Sequence, residues 1–425
     1  MKPSIPLGYY TASATPISPF PRLAADTKAD VCIIGGGYTG LSAALHLAQA
    51  GARICLVEAK TVGSGASGRN GGQIHTGLRK EQAWLERRLG KVHARALWDL
   101  SEDAKDLIRK LVAEHSIACD LKPGVVVAAH NRRAVRALAE DTDHLARNYG
   151  YRQGRMLDGE TTAQMLGTDV YPAARFDEGG GHLHPLRFVR GLAAAAARAG
   201  ATLWENTPAQ RIERRRGKVV VRCRGARITA DRVLLACDAF SAGIAPKLAG
   251  YIGTIESFLM ATAPLGEALN REILPCDAAV ADTRHVLDYY RKSVDGRLLF
   301  AGGEAGLRHP KDIVKLVRPR MLRVFPALSG IPIAYAWSGT VGITRSRLPH
   351  FGKLSERVFF AHGYSGQGVA LAVLGGKLLA EAAMGQRERF DVFARIRTKA
   401  FPGGALLRKP LLGAALAISR FADTR

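Results

Sequence analysis

Residues 31–34, Val-Cys-Ile-Ile, run directly into Gly35-Gly36-Gly37-Tyr38-Thr39-Gly40, and an alanine- and leucine-rich stretch follows over 41–50. A strand, a phosphate-sized turn and a helix in that order form a dinucleotide-binding βα unit, which commits the start of the chain to a parallel α/β sheet. Gly35 permits the tight turn, and Gly37 lets the backbone approach a pyrophosphate with no Cβ in the way. Gly40 lets the helix lie close on the sheet. The helix N-terminus then turns free amides toward two negative phosphates. Arg53–Val57 reads as the second buried strand, and Glu58 closes it 23 positions beyond Gly35. At that place a carboxylate accepts hydrogen bonds from ribose hydroxyls and disfavours a 2′-phosphate.

At 425 residues and 47% hydrophobic, the chain can bury a large core and is expected to divide into two domains. The net charge of +24 suits an acidic partner. Its basic residues are dispersed, however, with Arg214-Arg215-Arg216 the only run of three singled out, and no aromatic-interleaved basic helix occurs. A nucleic-acid partner is therefore disfavoured. Six cysteines at 32, 55, 119, 223, 237 and 276 include no Cys-x-x-Cys pair, which suits a reducing cytoplasm. Residues 1–22 lack the apolar core of a secretory signal. The apolar run 410–418 is about half the ~20 residues a bilayer crossing requires, so it is expected to dock on the body or make peripheral membrane contact.

Along the chain, a glycine-dense loop over 63–72 precedes a helical stretch, Glu81–Ile117, interrupted at Gly90. Arg132–Tyr149 and Pro185–Ala199 read as further helices, the second opened by Pro185 and closed by Gly200. Lys218–Cys223, Ala226–Thr229 and Arg232–Ala236 read as strands of a meander returning to the parallel sheet. Between Tyr251 and Phe300, strand-like pieces broken by Pro264, Pro275 and Gly296 point to an antiparallel sheet in a second domain. Near the end, Val358–Ala361 is a short buried strand, Gly363-Tyr364-Ser365-Gly366-Gln367-Gly368 a glycine loop, and Val369–Met384 a helix. A second strand, loop and helix so far along favours a long flavin dinucleotide over a nicotinamide one.

The run Asp30–Leu45 resembles the FAD-dependent oxidases of the D-amino-acid oxidase and glycine/sarcosine oxidase superfamily. Gly65-Ala66-Ser67-Gly68-Arg69-Asn70-Gly71-Gly72-Gln73 and Gly363–Ala370 resemble its γ-glutamylputrescine oxidase branch. The likeness extends through Gly181–Pro185, Asp288–Arg291, Asp295–Phe300 and Phe401–Gly404. It implies an FAD-binding Rossmann-like domain, residues 1–90, 176–248 and 335–390, with a mainly antiparallel α+β substrate domain, residues 91–175 and 249–334, and a tail from 391 to 425. It further implies non-covalent FAD, since no cysteine stands between 55 and 119 or beyond 276. The implied cofactor contacts are Gly35, Gly37, Tyr38, Thr39, Gly40, Glu58, Ala59, Ser67, Gly68, Asn70, Gly71, Gly72, Gln73, Ala209, Gly339 and the run Gly363, Tyr364, Ser365, Gly366, Gln367, Gly368 and Val369.

The reaction the resemblance implies is oxidation of an amine's carbon–nitrogen bond. Hydride passes to the flavin, the imine hydrolyses to an aldehyde, and O2 or another acceptor takes the electrons. In amino-acid oxidases of the superfamily an arginine shortly after the equivalent of Gly339 clamps the substrate carboxylate. Val341 and Gly342 stand here, with Arg345 and Arg347 as the nearest replacements. Tyr289 and Tyr290 alternate along a strand, so only one can face a substrate, and relatives favour Tyr289. His75, just past the flavin loop, is a candidate to orient the amine or remove its proton. Tyr289 and His75 are thus the candidate catalytic residues. His182 and His184, with no cysteine partner, make a poor metal site, and no metal is expected. Two other readings stay open: an amino-acid dehydrogenase delivering electrons to a quinone, and an RNA-associated flavoprotein suggested by the charge.

Overall fold

The computed structural model describes residues 8–215, 217–305 and 309–422, so Arg216 of the basic run and the first seven residues lie outside the described residues. Apolar strands without alternation, such as the all-buried Ile54–Val57, need cover on both faces. They form the centre of an eight-stranded sheet. Its order is His350–Ser355, Val358–His362, Ala226–Leu235, Thr27–Ile34, Ile54–Val57 and Thr202–Trp204, with Ala209–Arg215 and Lys218–Cys223 as an antiparallel extension. The four pairings from Val358–His362 across to Thr202–Trp204 are parallel.

The helix Tyr38–Gln49 covers this sheet and is covered in turn by Gly368–Ala383. The two approach so closely that a Cβ on Gly376 would stand 2.2 Å from the Thr39 carbonyl oxygen. Ser42 Oγ donates to the Val373 carbonyl across the contact at 2.6 Å. Fully buried leucines at 41, 45, 374, 378 and 379 fill it, each contributing about 1.5–3 kcal/mol.

The second sheet has nine strands among the described residues. Its order is Ile333–Ile343, Gly253–Thr262, Leu298–Ala305, Asp288–Lys292, Ala279–Asp282, Lys122–Ala129, Ala173–His182 and Gln73–Ile74, with Gly154–Leu157 beside Ala173–His182. All its pairings are antiparallel except that of Ala279–Asp282 with Lys122–Ala129.

Three details depart from the sequence reading. Ala226–Thr229 and Arg232–Ala236 are one continuous strand, Ala226–Leu235, because its first half pairs with Lys218–Cys223 and its second with the parallel sheet. The strands Ala173–His182 and Ile333–Ile343 each run through an expected boundary, at 175/176 and 334/335, and both belong wholly to the second sheet. Register with neighbouring strands holds them there, and no local composition change marks it. The helical stretch before Ile117 divides as expected into Gln82–Leu89 and Lys91–Glu114, with Gly90 between them at φ 86°.

In the tail, the helix Gly404–Ala422 is docked at its start. Leu412 is buried with Ile255, Ile343 and Phe401, and Arg408 Nη1 donates to the Ile252 carbonyl at 2.9 Å. Leu406, Leu407 and Leu411 remain exposed. Among the described residues no helix is long and apolar enough to cross a membrane.

Candidate functional site

The first glycine loop is fixed by its own sterics. Gly35 sits at φ 115°, where a Cβ would lie 2.5 Å from the Ala236 carbonyl oxygen, and a Cβ on Gly40 would lie 1.9 Å from that of Gly35. The helix after it begins at Tyr38 with no side-chain cap from its N-cap residue Gly37 and no acid in its first turn. Glu58 bridges this loop to the next, accepting from the Gly36 amide at 2.8 Å and the Lys60 amide at 2.9 Å. Ser67 Oγ accepts from the Tyr38 amide at 3.0 Å.

The loop 65–72 is tied down in the same way. Asn70 donates to the carbonyls of Ala66 and Ser67, each at 3.0 Å, and accepts from the Gly72 amide at 2.7 Å. A Cβ on Gly71 would stand 2.6 Å from the Tyr289 ring, and one on Gly72 2.0 Å from the Leu183 carbonyl oxygen. From the second sheet, Arg291 Nε reaches the Gly71 carbonyl at 2.8 Å, and Trp337 Nε1 donates to the Arg69 carbonyl at 3.0 Å.

A cavity of about 810 Å³ opens between these loops and the second sheet. Gly37, Tyr38, Thr39, Ser67, Asn70, Gly71, Gln73, Gly339 and the run from Tyr364 to Val369 line it, together with Tyr289 and His75. Gly35, Gly40, Glu58, Ala59, Gly68, Gly72 and Gly363 are not among its lining residues. Ala209 is apart from it, beginning the strand Ala209–Arg215 and packed in the core under the parallel sheet. The helix Gly368–Ala383 starts at the cavity without a side-chain cap, and Gln367 on the wall carries a buried Oε1 with no hydrogen-bond partner. Two helix N-termini, close-approach glycines and an orphaned polar atom around one cavity fit a long anionic dinucleotide with a polar ring edge, as FAD has. No cysteine is among the lining residues.

Strand alternation separates the two tyrosines. Tyr289 faces the cavity with its hydroxyl 3.0 Å from Ser257 Oγ, whereas Tyr290 is stacked on Phe300 in the core of the second domain. Burial raises the Tyr289 hydroxyl well above its usual range and keeps it protonated. His75 Nε2 lies 2.9 Å from Gln73 Oε1. Burial first, and the Arg79 charge second, push its pKa down to about 4, so the ring is neutral near pH 7. His182 and His184 are turned to separate partners, the Asp277 carbonyl at 2.9 Å and Ser13 Oγ at 3.0 Å. Among the described residues no group of three metal-ligating side chains occurs.

Several residues escaped the sequence reading. Asp238 Oδ1 accepts from the Gly363 amide at 2.7 Å and Oδ2 from the Gly342 amide at 3.0 Å, which joins the last glycine loop to the second sheet. Its only sequence signal is an acid just past the carboxyl end of a parallel strand. Buried Lys105 donates to Thr76 Oγ1 at 2.7 Å and to Tyr151 OH at 3.2 Å beneath the cavity, and nothing in its helical spacing marks it. Of the two substitute arginines, Arg345 is exposed and Arg347 lines the cavity, as does Val341.

Residues 30–382 match the model of the FAD dependent oxidoreductase family. The chain is 41% identical over 409 residues to a probable oxidoreductase, OrdL, of Rhizobium meliloti, covering 96% of this chain and 95% of that one. It is 38% identical over 411 residues to the gamma-glutamylputrescine oxidoreductase of Escherichia coli, covering 96% of each. In fold it is similar to glycine oxidase from Geobacillus kaustophilus, with TM-score 0.73 and 21% identity over 85% of this chain and 95% of that one. L-proline dehydrogenase from P. horikoshii is equally similar, with TM-score 0.73 and 20% identity over 87% and 96%. The chain belongs to the FAD dependent oxidoreductase family. It is an FAD-dependent enzyme.

Proposed function

We propose that this enzyme oxidises the carbon–nitrogen bond of an amine of the γ-glutamylputrescine type, giving an imine that hydrolyses to an aldehyde, with O2 reduced to peroxide. The supporting observation is the wall beside the flavin loops. Tyr289, Leu259 and Val341 line it, and Val341 stands near where the carboxylate-clamping arginine of amino-acid oxidases is expected. The near-full-length likeness to a γ-glutamylputrescine oxidoreductase agrees with this.

FAD, when bound, supplies a two-electron acceptor for the substrate's hydride. The chain's own residues prepare the amine. An apolar aromatic wall disfavours the ammonium form, which cannot release hydride from its neighbouring carbon. Neutral His75 accepts a hydrogen bond or the proton from the entering amine. Tyr289, locked by Ser257, positions the reacting carbon against Gly71 and excludes water. The uncapped start of Gly368–Ala383 would face the bound flavin with free amides, which favour negative charge. Six cysteines, all free, agree with a cytoplasmic location.

Anaerobic mixing of the holoenzyme with a panel of amines and amino acids tests the reading. γ-Glutamylputrescine should bleach the flavin absorbance, and air should restore it with stoichiometric peroxide. Bleaching by α-amino acids alone would overturn the substrate. Rapid reduction followed by slow reoxidation in air but fast reoxidation by quinone would replace oxygen as acceptor.

A further inference from the structure

Two arginines from segments far apart in the chain line the cavity. Arg79 follows the strand Gln73–Ile74, and Arg347 lies in the turn between Ile333–Ile343 and His350–Ser355 at φ 64°. Neither guanidinium has a hydrogen bond or ion pair to another side chain among the described residues. This sets them apart from Arg175, which also lines the cavity and is paired with Asp141 at 2.7 Å. Arg79 is the more desolvated: burial first, and then the charge of Arg347, weaken its hold on its proton, with Glu304 acting in the opposite direction. Two like charges held near each other in a partly buried wall cost free energy unless an anion joins them. Each planar guanidinium matches a carboxylate in bidentate geometry.

We propose that Arg79 and Arg347 form an anion subsite that takes a carboxylate on the part of the substrate remote from the reacting amine. The inference rests on the amine-oxidase reading and deepens it, because it assigns the substrate class as amines carrying a distal carboxylate. The positions matter. Val341, where amino-acid oxidases carry their clamp, keeps charge away from the reacting carbon, while Arg347 lies six residues further on in a turn, and Arg79 comes from another segment altogether. The subsite thereby separates γ-glutamylated diamines, which carry a carboxylate, from free diamines, which do not.

The test uses holoenzymes of the wild type, Arg79→Met, Arg347→Met and the two corresponding lysine variants, each first shown to retain full flavin. Binding of γ-glutamyl-n-butylamide, which keeps the carboxylate and lacks the oxidisable amine, is read from the perturbed flavin absorbance. Each methionine variant should weaken binding about 10- to 100-fold, as expected for the loss of a charge-assisted pair. Lysine should recover part of the loss. In turnover, the KM ratio of γ-glutamylputrescine to putrescine should rise by a similar factor, with the smaller change in kcat. Binding of the amide within twofold of wild type in both methionine variants would overturn the subsite, as would an equal loss for putrescine. If wild type oxidises no γ-glutamyl amine but the arginine variants still lose the amide, the substrate reading fails and the subsite stands.

Discussion

The two sheets line the same cavity by different means. The parallel half presents main chain to it: glycines whose missing Cβ atoms make room, helix N-termini, and carbonyls and amides locked by Glu58, Ser67 and Asn70. The antiparallel half contributes side chains, among them Tyr289, Arg175 and Asp282. Main-chain recognition leaves little choice of residue, since a glycine loop tolerates almost nothing else, whereas a side-chain wall can be rebuilt position by position. The first half is thus the more rigidly specified, and the second is where substrate choice can change.

The largest effect belongs on the parallel side. Gly40→Val drives a side chain into the Gly35 carbonyl, and the helix must lift from the sheet at a cost of at least about 3 kcal/mol. The purified variant should be colourless with a lowered melting temperature, and full flavin content would break the contrast drawn above. Next, Tyr290→Ala removes a ring that is 1% exposed and should cost about 3–5 kcal/mol in chemical denaturation. Its neighbour Tyr289→Phe loses only the Ser257 bond, about 1 kcal/mol, and should change turnover more than stability. Equal destabilisation by the two would mean that alternation does not divide packing from function.

Asp238→Ala cuts the tie between the halves. Two buried amides lose their acceptor, at about 2–3 kcal/mol, and flavin affinity should fall with it. Isothermal titration of the apoprotein with FAD reads this directly, and unchanged affinity would show that the tie does not position the loop. The smallest effect is spread over several rings. His75, His182 and His350 have pKa values pushed down to about 4 and His184 to about 3, with burial the leading cause in each. Between pH 6.5 and 4 the unfolded chain therefore binds protons that the folded chain refuses, so stability falls as pH falls through that window. Each ring contributes at most about 1.4 kcal/mol per pH unit. A urea midpoint that stays flat from pH 6.5 to 4.5 would contradict this burial.

The nucleotide half was legible because its signals are local. Arg132–Tyr149 coincides with the expected helix, Pro185–Arg198 ends one residue before its expected end, and Gly368–Ala383 is shifted by one residue from Val369–Met384. The glycine loops announced themselves by composition. The second sheet was legible only as strand-like pieces. That Ile333–Ile343 pairs with Gly253–Thr262, or that Ala279–Asp282 runs parallel to Lys122–Ala129, is a matter of register between segments far apart in the chain, and no local pattern encodes it. Side chains at the cavity share that fate: Lys105, beneath it, lies unmarked in the helical stretch Glu81–Ile117, and Asp177, on its wall, lies in a strand the sequence did not signal.

Order along the chain thus determined that a flavin dinucleotide is bound and where the glycine loops fall, because a phosphate cradle is built from consecutive residues whose steric limits are visible in their letters. Only the tertiary structure decided which side chains line the cavity and that Arg79 and Arg347 share it, because convergence of residues from distant segments is set by packing between sheets.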